Sequence, residues 1–241
     1  MFENEVSKAI KARHATRSFD ATKDVTDEQI EWLLNLANCA PSGYNLQPWS
    51  FVVVRDETIK KLLFFVAMEQ KQVVEAPVTI AFVANPNAWK TDYKKVIELG
   101  LSTGVMSKQH VKFYQKMTRI VFIRGWFNCI GFLKRISVAL RRFSKPTPHV
   151  VTTDEQARTY VKAQTMLSAQ NFMIAAKSIG LDTSPMEGFD EKRLKHLLAI
   201  PKSMSVPLII SLGYASEDGR GKSVRIPVVE KIKRNIFTVP W

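Results

Sequence analysis

Residues Val78 to Ala84 read V-T-I-A-F-V-A, an unbroken apolar run placed directly after Pro77. A short run of this kind, rich in β-branched and aromatic residues, predicts a strand buried on both faces. Two runs flank it in the sequence. Ser50–Arg55 (S-F-V-V-V-R) predicts a buried strand before it, and Val206–Tyr214 (V-P-L-I-I-S-L-G-Y) predicts a third one far downstream. The stretches between them carry helix signals. Residues 2–15 predict a helix, with Val6, Ala9, Ile10 and Arg13 at helical spacing. Thr26 followed by Gln29 forms a capping box that opens a helix to about Asn38, stopped by Ala40-Pro41-Ser42-Gly43. Thr58 to about Val74 predicts a further helix. Asp154 caps a long helix to Ile179, closed by Gly180, and another runs near Glu191–Leu198. Helices outweigh the few apolar strands, which predicts an α+β fold with a central sheet covered on both faces. The tail Asn235–Trp241 has strand character in Ile236–Val239 but no strand of its own chain to pair with.

The chain has 241 residues, 46% hydrophobic and 24% charged. Those values exclude a disordered chain, and one domain of this size buries about 70% of the surface its unfolded chain exposes. No run approaches the roughly 18 apolar residues of a spanning helix. The start, M-F-E-N-E, lacks an apolar signal core, so a cytoplasmic protein is expected. Cys39 and Cys129 have no paired spacing and are expected to be buried reduced thiols. The histidines His14, His110, His149 and His196 are scattered, and no metal site is expected. Nucleotide-binding glycine loops, nucleophile elbows and metalloprotease motifs are absent.

The net charge of +13 is unevenly placed. No acid lies between Glu98 and Asp154, while ten Lys and Arg residues do, from Lys108 to Lys145. The rest of the chain is nearly balanced, so the basic excess belongs to an insert at about 99–153. On a helical projection, Phe122, Trp126, Cys129, Ile130, Leu133, Ile136, Leu140 and Phe143 share one side. Arg124, Lys134, Arg135, Arg141, Arg142 and Lys145 share the other, with Arg119 an exception. Two readings follow. The insert is a cover helix packing its apolar face over a ligand mouth, or it contacts an anionic membrane peripherally through residues 119–145. Nucleic acid is not expected, because no known module is present and the aromatics lie opposite the charges.

Three segments stand out: Arg13-His14-Ala15-Thr16-Arg17-Ser18-Phe19, Ala40-Pro41-Ser42-Gly43-Tyr44-Asn45-Leu46-Gln47-Pro48-Trp49, and Thr183-Ser184-Pro185-Met186-Glu187-Gly188-Phe189-Asp190. Two arginines four apart suit one oxyanion. The second is a polar turn where backbone can approach a flat ligand. In the third, Pro185 and Gly188 predict a sharp turn exposing main-chain N–H groups. In this order the segments resemble the nitroreductase superfamily of flavin-mononucleotide (FMN) oxidoreductases, similar to its R-[RH]-S-x-[RK]-x-F, A-P-S-x-x-N-x-Q-P-W and G-L-x-x-x-P-x-E-G-F motifs. The resemblance covers residues 5–85 and 155–230 and not 86–153. It implies a single nitroreductase-like domain over 1–241, with a central mixed sheet flanked by helices and a C-terminal segment exchanged between the subunits of a homodimer.

The resemblance also implies roles. Arg13, Arg17 and Arg225 would hold the flavin phosphate. His14 and Ala15 would line the ribityl chain, Ala15 standing where the family usually has Ser. Ser223 stands where the family often has Lys, with Lys222 one step away. Gln70 and Gln164 would meet the edge of the flavin ring. Pro41, Ser42, Gly43 and Asn45 would come from the partner subunit. Pro185, Met186, Glu187 and Gly188 would pass along the ring, with the Glu187 or Gly188 N–H aimed at flavin N5. Hydride would pass from NADH or NADPH through N5 to a nitroaromatic, quinone or similar small acceptor, with no catalytic side chain. Reductive dehalogenation, flavin processing and a non-catalytic flavin-binding module are the alternatives.

Overall fold

The computed structural model describes residues 3–148, 150–219, 221 and 223–238. His149, Lys222 and the tail end Val239–Trp241 therefore lie outside the described residues, as does the start of the expected 2–15 helix. That helix is α1 (Glu5–Ala12), opened by an Asn4–Ser7 capping box; Arg13 caps its C-terminus in extended geometry. The Thr26–Gln29 box opens α2 (Asp27–Asn38) as expected.

Four strands form one sheet: β1 (Trp49–Val54), β2 (Val78–Ala84), β3 (Asp182–Met186) and β4 (Ser205–Gly213), in the order β1-β2-β4-β3. Every ladder between them is antiparallel, so the expected mixed sheet reduces here to one parallel bridge, Ala15 with Thr183. β2 is buried along its whole length, as its composition requires. β1 is an edge strand with Ser50 and Val53 exposed, which corrects the expectation of a buried strand.

Alternation divides the core. Val78, Ile80 and Phe82 face α2 and α8 (Asp154–Ser178), together with Leu208, Ile210, Leu212 and Phe172. Ala81, Val83 and Ile209 face α3 (Glu57–Val66) and α9 (Glu191–Leu197), together with Leu63 and Leu194. The Phe82 and Phe172 rings meet edge to face at 5.6 Å. The sheet is thus covered on both faces.

Three further corrections bear on the site. The expected Thr58–Val74 helix breaks after α3, where Met68 and Glu69 take left-handed backbone, and resumes as the short α4 (Gln72–Glu75). Half of the expected 183–190 turn is strand β3; Pro185 is tolerated because β3 is the sheet edge. Thr153, not Asp154, caps α8, and Gly180 (φ +82°) ends it. In the tail, residues 235–238 form bends and turns instead of a strand.

The insert is helical in three pieces: α5 (Ala88–Ser102), α6 (Lys108–Phe122) and α7 (Cys129–Arg142). A single helix from Phe122 to Phe143 is not formed. Gly125 (φ +75°), Phe127 and Asn128 take left-handed backbone and turn the chain between α6 and α7. Cys39 and Cys129 are free thiols but exposed, contrary to the burial expected. Among the described residues no helix is long and apolar enough to cross a membrane.

Candidate functional site

The expected site residues gather into three groups. The first lies where α1 ends. Arg13 is held in place by its N–H, which donates to Ala9 O at 2.9 Å. The next residues run beside β3, with the Thr16 N–H donating to Thr183 O at 3.0 Å. His14 ties the chain's late segment to this edge. Its Nε2 lies 3.1 Å from Gly219 O and 3.2 Å from the Gly221 N, and Nδ1 lies 3.2 Å from Ala12 O. Gly219 packs too closely on the Ser18 carbonyl for any side chain. Burial, and then the charge of Arg225, lower the Arg13 pKa from its ordinary value. Among the described residues no carboxylate pairs with Arg13, Arg17 or Arg225. The Thr16 and Thr183 hydroxyls are buried without hydrogen-bond partners.

The second group joins Gln70 to the loop after β3. The Gln70 amide donates to Ala67 O at 2.9 Å and to Gly188 O at 2.8 Å. Its Oε1 stays available as an acceptor. Glu187 and Gly188 are exposed, and among the described residues their N–H groups donate to no protein acceptor. A Cβ on Gly188 would meet only Gln70 Nε2, at 3.7 Å, so the protein itself does not require glycine there.

The third group is the Pro41–Asn45 loop. Ser42 Oγ accepts from the Gln47 N–H at 2.9 Å. The Gly43 N–H donates to Gln164 Oε1 at 2.7 Å, and Gly43 packs directly under the Tyr160 hydroxyl. The Tyr114 hydroxyl donates to Tyr44 O at 2.6 Å, and burial pushes its pKa up to about 12. Burial, then Tyr44, also raises Tyr160. Within one chain Gln164 therefore sits with this loop and not with Gln70. Tyr114, Tyr160, Gly219 and Gly221 position these groups. No motif marks them, since their contacts span long sequence separations.

Among the described residues no hydrogen bond joins the third group to the other two. Nor do the main cavities collect them. One of about 560 Å³ is lined by Trp89, Arg124, Trp126 and Asp154, and one of about 1050 Å³ lies against α9. The groups instead form open surface on one chain. The donor set of the first two suits a planar ligand carrying a phosphate. It offers uncompensated guanidinium charge, free N–H groups and a glycine surface that a flat ring could approach.

The model of the nitroreductase family matches residues 10–214. YfkO of Bacillus subtilis, named among the NAD(P)H nitroreductases, is 27% identical over 230 residues, covering 92% of this chain and 93% of that one. The NADH dehydrogenase of Thermus thermophilus is 27% identical, covering 85% and 83%. The solved nitroreductase family protein of Streptococcus pneumoniae is 26% identical with a TM-score of 0.68, covering 95% and 98%. A nitroreductase-type protein of Exiguobacterium sibiricum, solved in complex with FMN, matches in fold with a TM-score of 0.73 at 20% identity, covering 98% and 99%. Since the family model spans the sheet, the insert and all three groups up to Tyr214, the chain belongs to the nitroreductase family.

Proposed function

We propose that the chain is an FMN-dependent oxidoreductase that takes electrons from NADH or NADPH and reduces a small acceptor such as a nitroaromatic or a quinone. The observation that carries this reading is that, among the described residues, Arg13, Arg17 and Arg225 pair with no carboxylate, while the Glu187 and Gly188 N–H groups beside Gln70 donate to no protein acceptor. Guanidinium charge that no carboxylate compensates is available to a dianionic phosphate, which accepts forked charge-assisted hydrogen bonds. Arg17, four residues after Arg13, would add a third cation to that phosphate. Ala15 and His14 lie between these two arginines in the chain, His14 holding the 219–221 turn in place.

Gln70 presents Oε1 toward a ring-edge donor while its amide fixes the Gly188 carbonyl. That bond turns the loop so that the Glu187 and Gly188 N–H groups stay free to donate where a bound ring gains electron density. Pro185 and Met186 hold the loop to the sheet edge. When bound, FMN supplies the hydride chemistry. Pro41, Ser42, Gly43 and Asn45, with Gln164, form a second half-site that a partner subunit would contribute. Support for a homodimer comes from the exposed apolar side chains of Val6, Ile10, Leu36, Leu167, Ile236 and Phe237.

The experiment is anaerobic absorption spectroscopy of the purified protein. The reading expects about one FMN per chain, bleaching by NADH or NADPH, and re-oxidation by a nitroaromatic or a quinone. A yellow protein that neither donor bleaches would be a flavin-binding module. A protein that takes up no FMN overturns the reading.

A further inference from the structure

Helix α7 is built inside out. Its docking side is Gly131, Lys134 and Val138, which fall within an arc of about 60°. Gly131 is buried, its N–H donates to Arg124 O at 2.9 Å, and a side chain there would collide with the Thr152 carbonyl. Lys134 Nζ donates to the carbonyls of Val121, Ile123 and Val151 at 2.9–3.0 Å. Phe132, Leu133, Ile136, Leu140 and Phe143 occupy an arc of about 100° on the opposite side and are all exposed. At the head of the helix Trp126 and Phe127 stack on each other, 82% and 86% exposed. The apolar side of α7 therefore faces out, contrary to the cover-helix expectation, and of its basic residues only Lys134 turns inward.

The surroundings of this stripe decide what it meets. Arg135, Arg142 and Arg141 are exposed on the flanks of the helix, about 60–80° round from the edges of the stripe, Lys145 is exposed beyond its end on the docking side, and among the described residues none of the four pairs with a carboxylate. The segment 99–153 contains no acid to pair with them. Self-association through this face would bring two helices with cationic flanks together with no acid in the segment to compensate them, which disfavours a second copy as the occupant. An apolar stripe with aromatic residues at one end and unpaired cations on the flanks of the same helix fits the headgroup boundary of an anionic bilayer, where long Arg side chains reach the headgroups. We propose that α7 and the Trp126–Phe127 corner dock this protein on an anionic lipid surface.

The test is co-sedimentation of the full chain with phosphatidylglycerol-containing and pure phosphatidylcholine vesicles at low and high salt. The proposal expects retention by the anionic vesicles at low salt and release at high salt, as screening shortens the reach of the arginines. Arg135→Gln with Arg142→Gln should lower the partition coefficient about thirtyfold, at about fivefold for each cation near the surface. Leu133→Asp with Leu140→Asp, both at exposed positions, should lower it as well. Three results would each overturn the proposal. One is no retention by anionic vesicles at low salt. Another is retention equal to wild type in both paired variants. The third is sedimentation showing that Leu133→Asp with Leu140→Asp dissociates a wild-type oligomer, which would make a second copy the occupant.

Discussion

The Gln70 side-chain amide donates to the Gly188 carbonyl at 2.8 Å, joining positions 118 residues apart. This bond orients a glycine whose own surroundings would accept a larger residue. Gly188→Ala is therefore expected to leave thermal stability within about 0.5 kcal/mol of wild type, as for an unconstrained surface position. FMN affinity should fall, because the methyl group occupies the face a ring would approach. Paired thermal melts and FMN titrations check this. A stability loss with unchanged FMN affinity would reverse the assignment.

Gly131 gives the opposite expectation. A Cβ there meets the Thr152 backbone carbonyl, which cannot swing aside as a side chain can. Gly131→Ala should destabilise the fold by about 1–3 kcal/mol through overpacking, read in urea unfolding. FMN affinity measured at low temperature should be unchanged.

Lys134 carries a pH dependence. Burial first, and then the nearby Arg124 charge, lower its pKa to about 8 from an ordinary 10.5. Between those values the unfolded chain binds more protons than the folded one, so unfolding free energy rises with pH across that window. The midpoint difference between wild type and Lys134→Gln should shift in favour of wild type from pH 8 toward pH 10. A difference that stays flat with pH would contradict the assigned environment.

The tail bears on assembly. Ile236 and Phe237 are exposed on one chain, beyond the last strand. A chain truncated after Tyr214 should sediment as a monomer and lose FMN, whereas the full chain should be a dimer at micromolar concentration. A full-length monomer carrying FMN would contradict the two-chain site.

Much of this was legible in the sequence because local signals agreed with the tertiary packing. The Thr26–Gln29 box, the β2 run and the Gly180 terminator each appear where they were expected. Other features were not legible, for physical reasons. β3 is short, polar and contains proline, and it is a strand only because β4 pairs along one side of it. The break at Met68–Glu69 has no Gly or Pro to announce it. The outward face of α7 is set by the backbone clash at Gly131 and the three carbonyls around Lys134, not by its amphipathic pattern. The bond between the Gly43 N–H and Gln164 spans 121 residues, and no local signal announces it.

The most direct test of the central claim is to titrate the protein with FMN and with riboflavin, which lacks the phosphate. If Arg13, Arg17 and Arg225 hold a phosphate, Arg225→Ala removes one charge-assisted contact. It should then weaken FMN about tenfold or more while leaving riboflavin affinity unchanged. Equal effects on both ligands, or no effect on either in Arg13→Ala and Arg225→Ala, would contradict the account.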